Sequence, residues 1–340
     1  MTPIYVKHAI GGVLVAVGRG AVSTTPFVLG TTKPSAANTG ATGTLTPSSG
    51  DLTITTANYD LSGLDIFGFV KVRAAGCHGT NFRVRGSGPG ITNTALIDCN
   101  HAAATGASFS NVTLIPDFPS IWLNSIIGHD YTVIRGLMLN GVDGAGMYNS
   151  NTPAAVCNTR LEGCYIDQLT YSSPDANHTD NRTHNDGVQI QGNTGHAVVG
   201  CTVAVFYDPA TSVGADTGPA PLPASYKPSV TGQAIGITPN VSQVGNVVID
   251  RNWIDAGAQS VTIIPGSVGV ADSITITGNR FGRNQPNLTK NGVTARRAIC
   301  IASEITLTGF PTTTGADTQG NVYEDDGSPV TVHRIPAATI

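Results

Sequence analysis

Charge is what this chain has least of. Only 12% of its 340 residues are Asp, Glu, Lys or Arg, whereas 41 are glycine. Surface helices need charged or long polar residues on their wet face, and no stretch here keeps a helical period between caps, so little helix is expected. Basic residues are scattered, Arg296-Arg297 being a pair rather than a patch, and the formal net charge is −4. Nothing therefore marks a surface for nucleic acid or anionic lipid. The longest apolar run, Ala9 to Val17, is too short and too glycine-rich to span a bilayer. A secretory leader can be drawn through it, but an ordered N-terminal arm is the preferred reading. The six cysteines (Cys77, Cys99, Cys157, Cys164, Cys201, Cys300) contain no Cys-x-x-Cys, which argues against structural zinc. A chain this long needs no disulfide framework, so they are read as buried free thiols. No phosphate loop, dinucleotide fingerprint or His-Glu-x-x-His occurs.

What the chain does have is one strand phrase, repeated. It reads Val133-Ile134-Arg135-Gly136-Leu137-Met138-Leu139, then Arg160-Leu161-Glu162-Gly163-Cys164-Tyr165-Ile166, then Val198-Val199-Gly200-Cys201-Thr202-Val203. It returns as Val248-Ile249-Asp250-Arg251-Asn252-Trp253-Ile254 and as Ile274-Thr275-Ile276-Thr277-Gly278-Asn279-Arg280-Phe281. With Leu137, Cys164, Cys201, Asn252 and Asn279 as equivalent positions, the steps are 27, 37, 51 and 27 residues. A strand-only unit recurring at this period predicts an all-β solenoid, a parallel β-helix. In Ile274-Thr275-Ile276 the period-2 alternation turns both Ile inward and Thr outward. A single turn of such a coil cannot bury its own inner face, so stability must come from stacking.

The expected organisation follows. Residues 1–30 form a Gly- and Val-rich arm, and 31–50 a Pro/Ser/Ala/Thr/Gly linker or cap. Residues 51–320 form the β-helix, with strands from Leu52-Thr53-Ile54 onward and loop insertions near 170–185 and 208–230, and residues 321–340 close it as a C-terminal cap. Long insertions on such a scaffold build binding surfaces. Gly195-His196 reads as a turn with a solvated imidazole.

The richest constellation is His178-Thr179-Asp180-Asn181-Arg182-Thr183-His184-Asn185-Asp186-Gly187, leading into Val188-Gln189-Ile190-Gln191. Three readings compete. Asp186 with His184 or Asp180 supplies the acid and base for breaking a glycosidic bond. Alternatively, Asp180, His184 and Asp186 hold a divalent cation, though no dedicated cofactor is expected. In the third, Asp186-Gly187 is only the turn that enters a strand, and the loop contacts a partner. His178, Arg182, Asn185, Gln189 and Gln191 are the candidate binding residues beside the candidate catalytic set Asp186, His184 and Asp180.

Several phrases together resemble a known family. Gly50-Asp51-Leu52-Thr53-Ile54-Thr55-Thr56-Ala57, the repeated strand phrases, Asn185-Asp186-Gly187-Val188-Gln189-Ile190-Gln191-Gly192 and Gly320-Asn321-Val322-Tyr323-Glu324-Asp325-Asp326-Gly327 are similar to the pectate-lyase-like β-helix minor tail proteins of tailed phages that infect actinobacteria. The resemblance runs from about Thr31 to Val332. It implies a single-stranded right-handed β-helix in a virion tail tip, made in the host cytoplasm, homotrimeric, and held to other tail proteins through residues 1–30. It also implies recognition of a host-surface polysaccharide, with a polysaccharide lyase or glycoside hydrolase (a depolymerase) as the alternative. The enzymes of the wider superfamily are matched only in fragments. Asn185-Asp186 lacks the spacer of the polygalacturonase Asn-x-Asp phrase, Gly195-His196 is followed by Ala197, and Trp253-Ile254-Asp255 by Ala256 where pectate lyases have His. The reading therefore leans toward binding rather than catalysis.

Overall fold

The computed structural model describes residues 27–90, 94–151, 156–176, 178–208, 212, 227–228, 231–290 and 292–340. The expected attachment arm thus lies outside the described residues apart from 27–30, as does most of the 208–230 insertion.

Short apolar-alternating segments broken by Gly and Asn form strands, and the described residues contain no helix beyond the 3-10 turn Ala337–Thr339. The chain is all-β, built on two long parallel sheets of 16 and 11 strands. The strands fall into three rows that the chain visits in turn, an arrangement compatible with a β-solenoid. One circuit runs Tyr131–Ile134 in row one, Leu137–Leu139 in row two and Ala145–Met147 in row three. The next runs Arg160–Glu162, Tyr165–Asp167, Val188–Ile190, each paired in parallel with its predecessor. Rows one and two belong to the larger sheet and merge into the continuous strands His78–Val84 and Ala107–Leu114. Row three is the second sheet, from Leu52–Ile54 to Thr331–Ile335. Strands begin earlier than the sequence suggested: Thr46–Ser49 already pairs with Leu64–Phe67. It is an edge strand, where Pro47 costs no ladder bond.

The inward side chains form one continuous core. Phe109, Val133, Leu161, Val198, Ile249 and Ile276 are fully buried along row one, and Val188, Ile235, Val261 and Ile299 along row three. Phe82 and Phe109 pack edge to face at 5.7 Å, which uses the ring quadrupoles as well as the buried area.

The corner between rows one and two repeats one device. A residue at positive φ turns the chain: Arg135 at 54°, Gly163 at 58°, Gly200 at 59°, Arg251 at 51° and Gly278 at 61°. The residue after it points inward and stacks on its like. The Cys201 Sγ lies 3.3 Å from the Cys164 N–H, and the Cys201 N–H donates to Asn252 Oδ1 at 2.8 Å. Asn252 donates through N–H and Nδ2 to Asn279 Oδ1, both at 2.9 Å. Asn279 in turn donates to Asn321 Oδ1, at 3.0 and 2.8 Å. All six cysteines are free and buried, as expected. The expected register needs one correction. Leu137 pairs with Tyr165, so Gly136, not Leu137, is the equivalent of Cys164, and the first step is 28 residues. Apolarity drew the alignment to Leu137, but the inward corner position at that level is filled by glycine, above which Val133 and Met138 close in.

Residues 27–45 run along the outside of row two. Phe27 packs against Gly163 and under the Arg135 guanidinium, whose carbon lies 5.0 Å above the ring. The chain turns near Lys33, which pairs with Glu324, and comes back as Thr202 Oγ1 donates to Pro34 O at 2.9 Å. It then passes Arg135, whose guanidinium donates to Asn38 O, and reaches Asn81, which accepts the Thr42 N–H. Leu137 is buried beneath this strap, against Gly40, although it faces outward from the sheet, and the outward Trp253 is covered by the Arg280 guanidinium, 5.0 Å from its ring. At the C-terminal end Arg283 pairs with Asp325 and Asp326 in the turn that follows Val322–Tyr323.

The Asn279 side chain makes four hydrogen bonds, to Asn252, Ile249 and Asn321, so Asn279→Ala leaves buried donors and acceptors unpaired at two levels. Each such group costs about 1–3 kcal/mol, and we expect a total loss of at least about 3 kcal/mol. Urea denaturation followed by circular dichroism checks this, with the outward Thr275→Ala changing stability by less than about 0.5 kcal/mol.

Candidate functional site

The polar loop before Val188 is pinned at its base by Asn185. Its buried Nδ2 donates to Val142 O at 2.7 Å and to Thr170 O at 2.8 Å, while its Oδ1 accepts Thr183 Oγ1–H at 3.0 Å. The next circuit crosses so closely that any side chain at Gly232 would overlap the Asn185 carbonyl. Asn185, a candidate contact residue, is thus the support that fixes Asp186.

Asp186 does not stand alone. Its N–H donates to Asp143 Oδ1 at 2.8 Å, and its own carboxylate accepts the Gln233 N–H at 2.7 Å and Gln189 Nε2 at 2.8 Å. Gln191 Nε2 continues the chain to Gln189 Oε1 at 3.3 Å. Gln189 is an outward residue of row three, partly exposed. Its neighbours in register are Gly146 and Gly236, over which Tyr148 and the Gln233 side chain fold. The result is an outward row of amides and carboxylates with one aromatic ring at its side.

Burial pushes the Asp186 carboxyl up to about 6, outweighing the hydrogen bonds from Gln233 and Gln189. Burial, and then the charge of Asp186, push Asp143 well above the usual carboxylate range. Among the described residues neither carboxylate has an Arg or Lys ion-pair partner, so burial favours the protonated form of the pair. Burial, with Asp98 and Asp143 nearby, lifts the Tyr148 hydroxyl to about 12.

The two histidines stack on each other, near enough to Asp186 for their charges to act against the rise of its carboxyl. Their rings stack at 4.2 Å, 19° from parallel. His178 Nδ1 lies 2.6 Å from Asp175 Oδ2, and His184 Nε2 3.1 Å from Asp180 Oδ2. Slight burial raises Asp180, but the His184 bond outweighs it and holds the carboxyl below its ordinary range. Asp180 therefore belongs to His184, and Asp186 to Asp143. Arg182 is half-buried on the same loop and its backbone bonds to Asp180. Among the described residues, no three His, Cys, Asp or Glu side chains converge as metal ligands.

The sequence reading missed Asp143, Asp175, Tyr148 and Gln233. A signal for Asp143 was present: Asp143-Gly144 and Asp186-Gly187 each stand two residues before a row-three strand, and those strands pair Ala145 with Val188. His196, read as solvated, is 1% exposed. Its Nε2 lies 2.8 Å from Gly192 O, and burial holds the imidazole down to about 4. The inward lean of that corner, invisible in Gly195-His196 alone, is the reason.

No protein-family model matches the chain, and no curated protein matches it. Among solved structures, the Dettilon tailspike protein is similar over 82% of this chain and 59% of its own length, at 12% identity and a TM-score of 0.24. This chain therefore spans less than two thirds of that protein, and so distant a likeness establishes neither fold nor function. No helix among the described residues is long and apolar enough to cross a membrane.

The raised Asp186 carboxyl has a definite sign for stability. The folded state holds a proton that the unfolded chain releases near pH 4, so the Asp186 contribution to stability falls as pH rises from about 4 to about 6, and the raised Asp143 carboxyl adds a fall of the same sign. Asp143→Asn keeps an acceptor for the Asp186 N–H and removes the repulsion. We expect this variant to be more stable than the parent at pH 7, by on the order of 1–2 kcal/mol, with a flatter profile. Urea midpoints across pH 4–7 read both, and parallel profiles for the two proteins would refute the shared-proton account.

Proposed function

We propose that this chain is a tail-associated virion protein, a right-handed single-stranded parallel β-helix assembled as a homotrimer, that binds host-surface polysaccharide through the outer face of row three. The observation that carries this reading is the row Asp143–Asp186–Gln189–Gln191–Gln233 beside the Tyr148 ring. Amides and carboxylates hydrogen-bonded to one another match the alternating donors and acceptors of sugar hydroxyls, and an aromatic ring covers a sugar's apolar face. The three-row stack supports the β-helix assignment, and the phrase resemblance supports the tail location and the trimer.

A second reading rests on one specific feature. Asp143 and Asp186 are neighbouring carboxyls, linked through the Asp186 N–H, whose protonated forms burial favours, and cleavage of a glycosidic bond by a carboxyl pair requires one protonated and one ionised member. A depolymerase is therefore the alternative activity.

Titration calorimetry of the purified chain against actinobacterial envelope polysaccharides tests both. We expect saturable binding that Gln189→Ala weakens at least about tenfold, roughly the cost of one lost hydrogen bond to a charged or desolvated group. Absence of binding to every envelope fraction would refute the proposal. Release of reducing ends, abolished by Asp186→Asn, would move the assignment to the depolymerase.

A further inference from the structure

Row three carries a polar column at its entry, one residue per circuit. Asp143, Asp186, Gln233, Gln259 and Arg297 each stand two residues before the paired Ala145, Val188, Ile235, Val261 and Ile299. Carboxyls hold one end of this column and a guanidinium the other. Arg297 is 1% exposed, yet no Asp or Glu among the described residues acts on it: burial disfavours its charge, and only the Cys300 thiol acts the other way. Its acceptors are three neutral carbonyls, Leu288 O at 2.8 Å, Ala295 O at 3.1 Å and Val293 O at 2.7 Å. Its Nε–H has no partner among the described residues. Neither has Nε2 of Gln259, which lies in register on the preceding circuit and is also 1% exposed. Further cations gather here. Burial pushes the Cys300 thiol up to about 11 against the pull of Arg297, Lys290 and Arg334. Burial, and then the charge of Arg297, hold His333, paired with Cys300, below its ordinary range.

The three carbonyls on Arg297 belong to one hairpin. Its strands, Leu288–Lys290 and Val293–Ala295, pair only with each other, and Val293 is 57% exposed. A lone two-stranded hairpin is marginally stable, so the bonds to Arg297, with that from Lys290 Nζ to Ile340 O at 2.6 Å, hold it in place. A guanidinium that meets only neutral carbonyls is poorly matched. Carboxylate and phosphate present two anionic oxygens to the same N–H fork and bind it more strongly. We propose that Arg297 and Gln259 form an anion-binding subsite of the row-three face, covered by this hairpin, and that it takes a carboxylate or phosphate substituent of an acidic polysaccharide. The anionic oxygens replace the hairpin carbonyls, and the hairpin moves aside. Asp186 lies three strand spacings away, about 14 Å, and its carboxylate form repels such a group. The anionic substituent therefore belongs at the Arg297 end, which gives a bound polysaccharide one direction along the face. The polysaccharide in this inference rests on the row-three reading above; the anion site does not.

Two measurements on the full chain separate these. Hydrogen exchange by mass spectrometry is followed in sodium phosphate, in sodium glucuronate and in sodium chloride of equal ionic strength. Phosphate or glucuronate should speed exchange of Leu288–Lys290 and Val293–Ala295 at least about fivefold over chloride, and the anion that does so names the source. Exchange indifferent to both anions overturns the proposal. Titration calorimetry against the anionic and the neutral fractions of an actinobacterial envelope polysaccharide then reads Arg297→Gln. We expect it to bind the anionic fraction at least about tenfold more weakly and the neutral one within about twofold of the parent, with Arg297→Lys in between. Equal effects on the two fractions mark Arg297 as a support of the fold and overturn the proposal. Failure of the parent to bind any fraction removes the row-three reading, and the anion site is then decided by the hairpin exchange alone.

Discussion

The structure depends on one constraint, the in-register stacking of successive circuits at a strand spacing of about 4.8 Å. Every other feature is bounded by it. A parallel ladder tolerates no slip, because a shift of one residue would turn the inward Val133, Leu161 and Val198 outward. The corner between rows one and two enforces the register locally. A residue at positive φ bends the chain, and the next side chain is delivered inward to bond its equivalent one level away. Where that side chain is Asn252, Asn279 or Asn321, the ladder is made of amide bonds in a fully buried setting, and those bonds discriminate strongly against any other alignment.

That scaffold explains why the polar cluster can exist. Asp143 and Asp186 are 43 residues apart and carry like charge, an arrangement the chain would avoid in solution. They are neighbours because their strands, Ala145–Met147 and Val188–Ile190, are locked in pairing, and Asn185 anchors the approach from below. The energetic burden of two desolvated carboxyls is eased by the N–H groups of Asp186 and Gln233 and by the Gln189 amide. Sites that hold groups against their solvent preference are characteristic of function, which singles out this cluster over the more exposed His178–His184 stack for the binding we propose.

Much of the fold was legible before any coordinates. The repeated phrases, the inward Ile and Val of each strand and the buried cysteines all follow from period-2 alternation, which is local. The error of one residue at Leu137 is instructive: apolarity marked the strand, but the inward corner position there belongs to Gly136, which has no side chain to betray it. The site was half legible. Asp186, Gln189 and Gln191 lie within six residues and could be read together, whereas Asp143, Gln233 and Tyr148 come from other circuits.

By itself, then, the sequence determined that the chain is a stack of short strands with a polar insertion before Val188, because strand alternation and turn chemistry act over a few neighbouring residues. Only the tertiary structure decided which circuits lie side by side. That pairing joined Asp186 to Asp143, buried His196 and laid residues 27–45 over Leu137. Contacts between residues separated by insertions of unequal length are set by stacking and packing, which no local pattern encodes.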